Sequence, residues 1–373
     1  MKIKSILLGI VIAFSCSLSA QENVYKFTKV VENPSTPIKD QAETGTCWCF
    51  GTTSFIESEL LRTGKGEFDL SEMFTVRHNY RHRIFDNYLR EGNGSIVEGS
   101  LGHMAINMMD KYGLVPQYAY SGINYDSPKH DHNELSAYVA ALASVTTERG
   151  VLTPESIELQ EALFDIYLGK LPETFEYNGK EYTPLSFKEY LGLDFSDYVD
   201  ITSFTHLPFY EKVLLELPDN WDNGTMYNVP LEEMIEIIDH ALLNGYTVAW
   251  SGDISEPGYV LARDLSILPQ DTKLTRKQIQ ESKEIIPEME VTQEMRQMFY
   301  ETFISVDDHL EHITGLYKDQ NGVKYYNTKN SWGHEYTKTG HHMMSENYVK
   351  GKTMCILVHK NSIPKDIRKK LGL

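Results

Sequence analysis

Gln41-Ala-Glu-Thr-Gly45-Thr-Cys47-Trp48-Cys49-Phe50 leads into a helical pattern and carries the most informative cysteine of the 373-residue chain. From Thr46 onward, Cys47, Phe50, Phe55, Ile56, Leu60 and Leu61 recur near helical spacing, and Gly64 is suited to end the run. Thr46 is a favoured N-cap type, which puts Cys47 in the first helical turn. A thiol attacks an amide carbonyl well only as a thiolate, so its pKa must fall from ~8.5 with help from a helix N-terminus and a cationic histidine. Cys47 has the first of these. Gln41, just upstream, is a side-chain amide donor able to join the Cys47 backbone N–H in an oxyanion hole.

Working outward, the second informative block is Asp307-Asp308-His309-Leu-Glu-His312-Ile-Thr-Gly315, and the third is Asn330-Ser331-Trp332-Gly333. Ile313 to Lys318 and Val323 to Lys329 read as two strands of a hairpin around Gln320-Asn321-Gly322. A strict two-residue turn sets Asn330 opposite Ile313, ~13 Å along the strand from His309. A four-residue loop from Asp319 to Gly322 sets it opposite Glu311, ~7 Å along, which side chains can cover. In a strand His312 projects to the face opposite His309, so only one of the two can point at Cys47. Asp307 and Asp308 read as surface carboxylates.

These three blocks, in this order, resemble the nucleophile, histidine and asparagine motifs of papain-like cysteine peptidases. The resemblance implies an α+β, two-lobed fold, with a helical lobe carrying the nucleophile helix and an antiparallel-sheet lobe. It implies Cys47 as nucleophile, Gln41 in the oxyanion hole and His309 as the base that takes the thiol proton and returns it to the leaving amine. Asn330 then fixes the imidazole's orientation and Trp332 shields that pair from water. The family spacing from histidine to glycine selects His309 over His312.

The stretch from Cys47 to His309 is nearly twice the ~130 to 150 residues of compact papain-like enzymes. Together with Glu98-Gly99-Ser100-Leu-Gly-His-Met104, Asp110-Lys-Tyr-Gly-Leu-Val-Pro116 and Tyr182-Thr-Pro-Leu-Ser-Phe-Lys-Glu-Tyr190, the excess resembles the bleomycin hydrolase and aminopeptidase C branch. That branch implies peptide substrates, a substrate-backbone strip at Gly99 and Ser100, a hexameric barrel, and a C-terminal arm that restricts cleavage to N-terminal residues. Here the chain stops in Lys369-Lys-Leu-Gly-Leu373, short of such an arm, so an open-cleft endopeptidase is the alternative to an aminopeptidase. One peptidase domain over 21–373 is expected, with an insertion at about 123–295.

Other features bound the reading. Met1 to Ala20 has a cationic start, an apolar run from Ile6 to Phe14 and small residues beyond, the pattern of a cleaved export signal, and points to a periplasmic or extracellular protein. The run is shorter than the ~18 apolar residues of a bilayer span, and Phe14 disfavours lipid attachment at Cys16. A net charge of −18 opposes binding to nucleic acid or anionic membranes. Cys47, Cys49 and Cys355 form no disulfide framework. A redox protein using Cys47 and Cys49 is a remote alternative, since Cys-x-Cys is not the usual dithiol spacing. His341-His342 and Lys129-His-Asp-His132 come without a metal partner set and read as structural, so no metal or cofactor is called for.

Between those anchors, helices are expected after Ser71-Glu72, from about Leu101 to Tyr112, and from Pro230 to Leu243, with a short buried strand at Tyr246 to Trp250. The chain from Ile123 to about Asn228 reads as mixed and irregular, and Lys273 to Glu294 as a solvated excursion.

Overall fold

A computed structural model describes residues 24–373; the export-signal pattern and Cys16 lie outside the described residues. The fold is α+β, with a helical lobe and a large mixed sheet. The helical lobe begins with α1 (Cys47–Arg62), α2 (Glu72–Leu89) and α3 (Gly102–Tyr112). Helix α1 is buried along nearly its whole length, from Trp48 to Leu60, because it is sandwiched between the other helices and the sheet. Its end is fixed by Gly64, whose φ of +73° suits glycine and whose N–H bonds to the Leu61 carbonyl. The Thr46 side chain does not cap α1 as expected: its hydroxyl instead meets that of Thr44 at 2.5 Å. Ser71 does cap α2, accepting from the Phe74 N–H at 3.1 Å.

The stretch expected to be irregular contains α4 (Asn133–Arg149) and α5 (Pro154–Leu168). Helix α4 buries Leu135, Val139, Ala143 and Thr146, and α5 buries Gln160, Phe164 and Leu168, each one stripe of a helix otherwise facing water. The hairpin β2 (Phe175–Tyr177) and β3 (Lys180–Tyr182), followed by α6 (Pro184–Leu191), completes this lobe with a cluster of aromatic rings around Phe187.

The second lobe is built on β1 (Thr28–Glu32), β4 (Tyr198–Thr202), β5 (Lys212–Leu214), β6 (Thr225–Asn228), β7 (Val248–Gly252), β8 (Tyr259–Val260), β9 (Leu265–Ser266), β10 (His309–Lys318), β11 (Lys324–Lys329), β12 (His341–Ser345) and β13 (Thr353–His359). They join in the order β5-β6-β4-β13-β7-β10-β11-β12-β9-β8, with β1 pairing β10 as well. Helices α7 (Leu231–Leu243), α9 (Gln293–Glu301), α10 (Glu346–Lys352) and α11 (Lys365–Leu371) contribute apolar side chains to its core. Residues 123–295 are shared between the lobes, and they include β7, the strand beside His309.

The Lys273 to Glu294 stretch is not wholly solvated. It holds the short helix α8 (Arg276–Glu281), and Ile279 and Ile286 pack with Tyr25, Val260, Leu265, Ile267 and Tyr325 in a small separate cluster. Charged residues on the outside had masked an apolar residue or two per turn on the inside.

Candidate active site

Helix α1 and strand β10 meet face to face, and the site forms where both begin. Gly51 makes the approach possible: a Cβ there would collide with the Leu310 side chain and stand 3.1 Å from its carbonyl oxygen. Cys47 is the first residue of α1 and His309 the first of β10. The N–H of Leu310, next to His309, bonds to the Cys47 thiol. His309 is 5% exposed, while Cys47 keeps part of its surface open to the cleft.

Asn330 arrives from the end of β11 by a register the sequence anticipated through a different loop. Lys318 pairs with Lys324, so five residues, not four, separate the strands; a bulge between Ile313 and Gly315 then takes the extra residue back. His312 consequently faces Lys329, and the next position sets Asn330 opposite Glu311. The His309 Nε2–H donates to Asn330 Oδ1 at 2.9 Å. That leaves Nδ1 as the basic nitrogen. The Asn330 amide is fixed from both ends: Oδ1 also accepts from the Ser331 N–H at 2.7 Å, and Nδ2 donates to the Tyr259 hydroxyl at 2.9 Å. Trp332 covers the pair, its ring centroid 4.7 Å from that of His309. His312 is on the opposite side, bonded through Nδ1 to Ser54 Oγ of α1 at 2.9 Å.

Gln41 is buried, and its orientation is fixed by the Ser331 hydroxyl, which donates to Oε1 at 2.6 Å. Nε2 donates one hydrogen to the Thr44 carbonyl at 2.7 Å, leaving the second free for an incoming oxygen. Gly99 and Ser100 lie under the segment Leu217 to Asn223. The Trp221 Nε1–H donates to Ser100 Oγ at 3.0 Å, and a Cβ on Gly99 would collide with the Asp219 carboxylate.

The electrostatics differ from the simple expectation of a thiol lowered by its helix. Burial pushes the Cys47 thiol up to about 12; the Leu310 N–H opposes this, and the Asp307 and Asp219 carboxylates add to the rise. Burial likewise lowers the His309 imidazole, with Glu311 and the Asn330 bond pulling the other way. In the unliganded site the proton therefore rests on sulfur. Asp307 is not the surface carboxylate expected: Oδ1 accepts from Ser251 Oγ at 2.9 Å, Oδ2 is sealed from solvent without a partner, and burial raises its pKa well above the carboxylate range.

The remaining candidates sort themselves by contact. Cys49 is fully buried, with Sγ against the Glu72 carbonyl at 3.3 Å, so it points into the helical core and forms no pair with Cys47. His132 bonds to the Tyr80 hydroxyl at 2.9 Å, and His342 to Ser266 and Glu311. Sequence reasoning missed Tyr259, Glu311, Asp219 and Trp221. Glu311 was legible from the two-residue period of a strand starting at His309, whereas the other three arrive from distant segments with no local signal.

A family model described as "Peptidase C1-like family" matches residues 93–372, which include His309 and Asn330. Aminopeptidase G of Lactobacillus delbrueckii subsp. lactis is 22% identical over 90% of this chain and 83% of its own length. Aminopeptidase C of Listeria innocua is 22% identical over 88% and 81%, and mitochondrial cysteine proteinase 1 of Saccharomyces cerevisiae 21% over 92% and 79%. Among solved structures, PepW of Lactobacillus rhamnosis superposes with a TM-score of 0.69 at 16% identity, covering 92% of this chain and 84% of that one. That likeness shows the papain-like fold. With the match spanning most of its length, the chain is a cysteine peptidase belonging to the Peptidase C1-like family.

Proposed function

We propose that the protein is an aminopeptidase in which Cys47 attacks the scissile carbonyl and forms an acyl-enzyme. His309 Nδ1 takes the thiol proton and passes it to the leaving amine; water then hydrolyses the thioester with His309 as base. The Cys47 N–H and the free Gln41 Nε2 hydrogen receive the oxyanion. Asn330 and Trp332 hold the imidazole in its tautomer and away from water.

The observation that carries the amino-terminal restriction is the segment Leu217 to Asn223 lying on Gly99 and Ser100. If those two residues receive the substrate backbone, the segment shortens the strip available to residues preceding the cleaved bond. Asp219 on that segment supplies negative charge beside Cys47 that suits a substrate's protonated α-amine. The named aminopeptidases among its relatives agree with this direction. Release of free amino acids from unblocked peptides, with N-acetylated versions of the same peptides resistant, is the expected result. Equal cleavage of the blocked peptides makes the protein an open-cleft endopeptidase instead.

We also propose export, on the Met1 to Ala20 pattern. N-terminal sequencing of the protein from its native host is expected to start near residue 20 or 21.

A further inference from the structure

Behind the His309–Asn330 pair lies a closed ring of buried polar groups. Glu311 shares the His309 face of β10, and its Oε1 stands 3.8 Å from His309 Nε2. The Tyr259 hydroxyl, which accepts from Asn330 Nδ2, donates to that same Oε1 at 2.8 Å. His342 Nε2 donates to both oxygens, at 3.1 and 3.0 Å, and its Nδ1 meets Ser266 Oγ at 2.9 Å. The side chains of Glu311 and His342 are entirely buried. Among the described residues no lysine or arginine pairs with this carboxylate; the charged and titratable groups facing it are His309 on its own strand, Asp308 just before that strand, Tyr259 on β8, His342 on β12 and Tyr348 on α10. Asp264 also interacts electrostatically with His342.

A buried carboxylate is costly, and a structural one is normally neutralised by a cation or by protonation. Glu311 is not held by protonation or by a lysine or arginine: despite burial, its pKa is below the ordinary value, chiefly through His342 and its hydrogen bond, then His309 and Tyr259. A negative charge is thus held where positive charge develops when the thiol proton reaches His309. In a low-dielectric interior that interaction is strong and needs no rearrangement.

We propose that Glu311 is a positioning residue of the peptidase reaction, stabilising the His309 imidazolium directly and, through Tyr259, locking the Asn330 amide that holds the ring. This rests on the reading of His309 as the general base and deepens it. No proton is transferred to Glu311: in acylation the thiol proton passes through His309 to the leaving amine, and in deacylation a water proton passes through His309 back to the Cys47 sulfur. The ring also gives His342, a residue with no other evident task, the role of keeping Glu311 ionised.

The test is the pH dependence of kcat/KM on an unblocked peptide for the wild type, Glu311→Gln, His342→Gln and His309→Ala, each checked for folding by circular dichroism. Glu311→Gln is expected to lower kcat about tenfold per pH unit by which the acid limb moves, with that limb moving down by about one unit and KM nearly unchanged. His342→Gln removes the group that keeps Glu311 ionised, so the limb moves down as well, by less because the glutamine amide still donates to the carboxylate. Limbs that stay put in both folded variants overturn the proposal. Should Glu311→Gln fail to fold, the direction of the His342→Gln shift decides alone: downward supports the proposal, and no shift or an upward one refutes it. Activity persisting in His309→Ala refutes the general-base reading itself, a distinct outcome.

Discussion

The Ser331 hydroxyl donates to Gln41 Oε1 across 2.6 Å, tying the asparagine motif of the sheet lobe to the proposed oxyanion donor ahead of α1. The bond decides which end of the Gln41 amide faces the cleft. Gln41→Ala is therefore expected to lower kcat by about 10²- to 10³-fold, and Ser331→Ala by a smaller factor because the Thr44 contact survives. Steady-state kinetics on one peptide measure both. A Ser331→Ala loss as large as that of Gln41→Ala points to a role for Ser331 beyond orientation.

The rest state predicts a particular pH profile. His309 must be neutral to accept a proton, and burial holds its pKa below the usual ~6.5, so activity is full above that value and lost as pH falls through a lower one. With Cys47 raised to about 12, iodoacetamide alkylation of the free enzyme is expected to quicken steadily from pH 6 to 9. A fast, flat alkylation rate from pH 5 upward means that the thiolate is already formed, and contradicts this picture.

Gly51 is required by the approach of α1 to Leu310. Gly51→Ala is expected to destabilise the protein by about 1–3 kcal/mol and to reduce kcat more than KM, because the displaced helix carries Cys47 away from His309. Denaturant melts paired with kinetics separate the two effects. Unchanged kcat in a destabilised variant shows that the site tolerates the shift.

Gly99→Ala pushes against the Asp219 carboxylate and is expected to dislodge the Leu217 to Asn223 segment. The ratio of activity on N-acetylated to free peptides then rises. If the ratio holds while both rates fall equally, the segment does not set the amino-terminal restriction.

The site was more legible in the sequence than the lobe around it, for a physical reason. Cys47, His309 and Asn330 each belong to a short string whose neighbours serve the same purpose: Gly51 and Trp48 for the helix, Ser331 and Trp332 for the asparagine. Helices α4 and α5 carried signals too, with apolar residues at four-residue intervals and Thr153-Pro154 opening α5, but their polar outer faces diluted the pattern. The hairpin register was foreseen at its functional end through the wrong loop, because a bulge at Thr314 is invisible without the partner strand. Tyr259 and Trp221 could not be foreseen: both act through contacts between segments far apart in the chain.

The most direct test of the central claim is a labelling experiment. A peptidyl chloromethyl ketone with a free amino terminus, added to the active protein and mapped by mass spectrometry, is predicted to label Cys47 alone at one equivalent as peptide hydrolysis disappears, with Cys47→Ala unlabelled and inactive. Label on Cys49 or Cys355, or hydrolysis undiminished in Cys47→Ala, would contradict it.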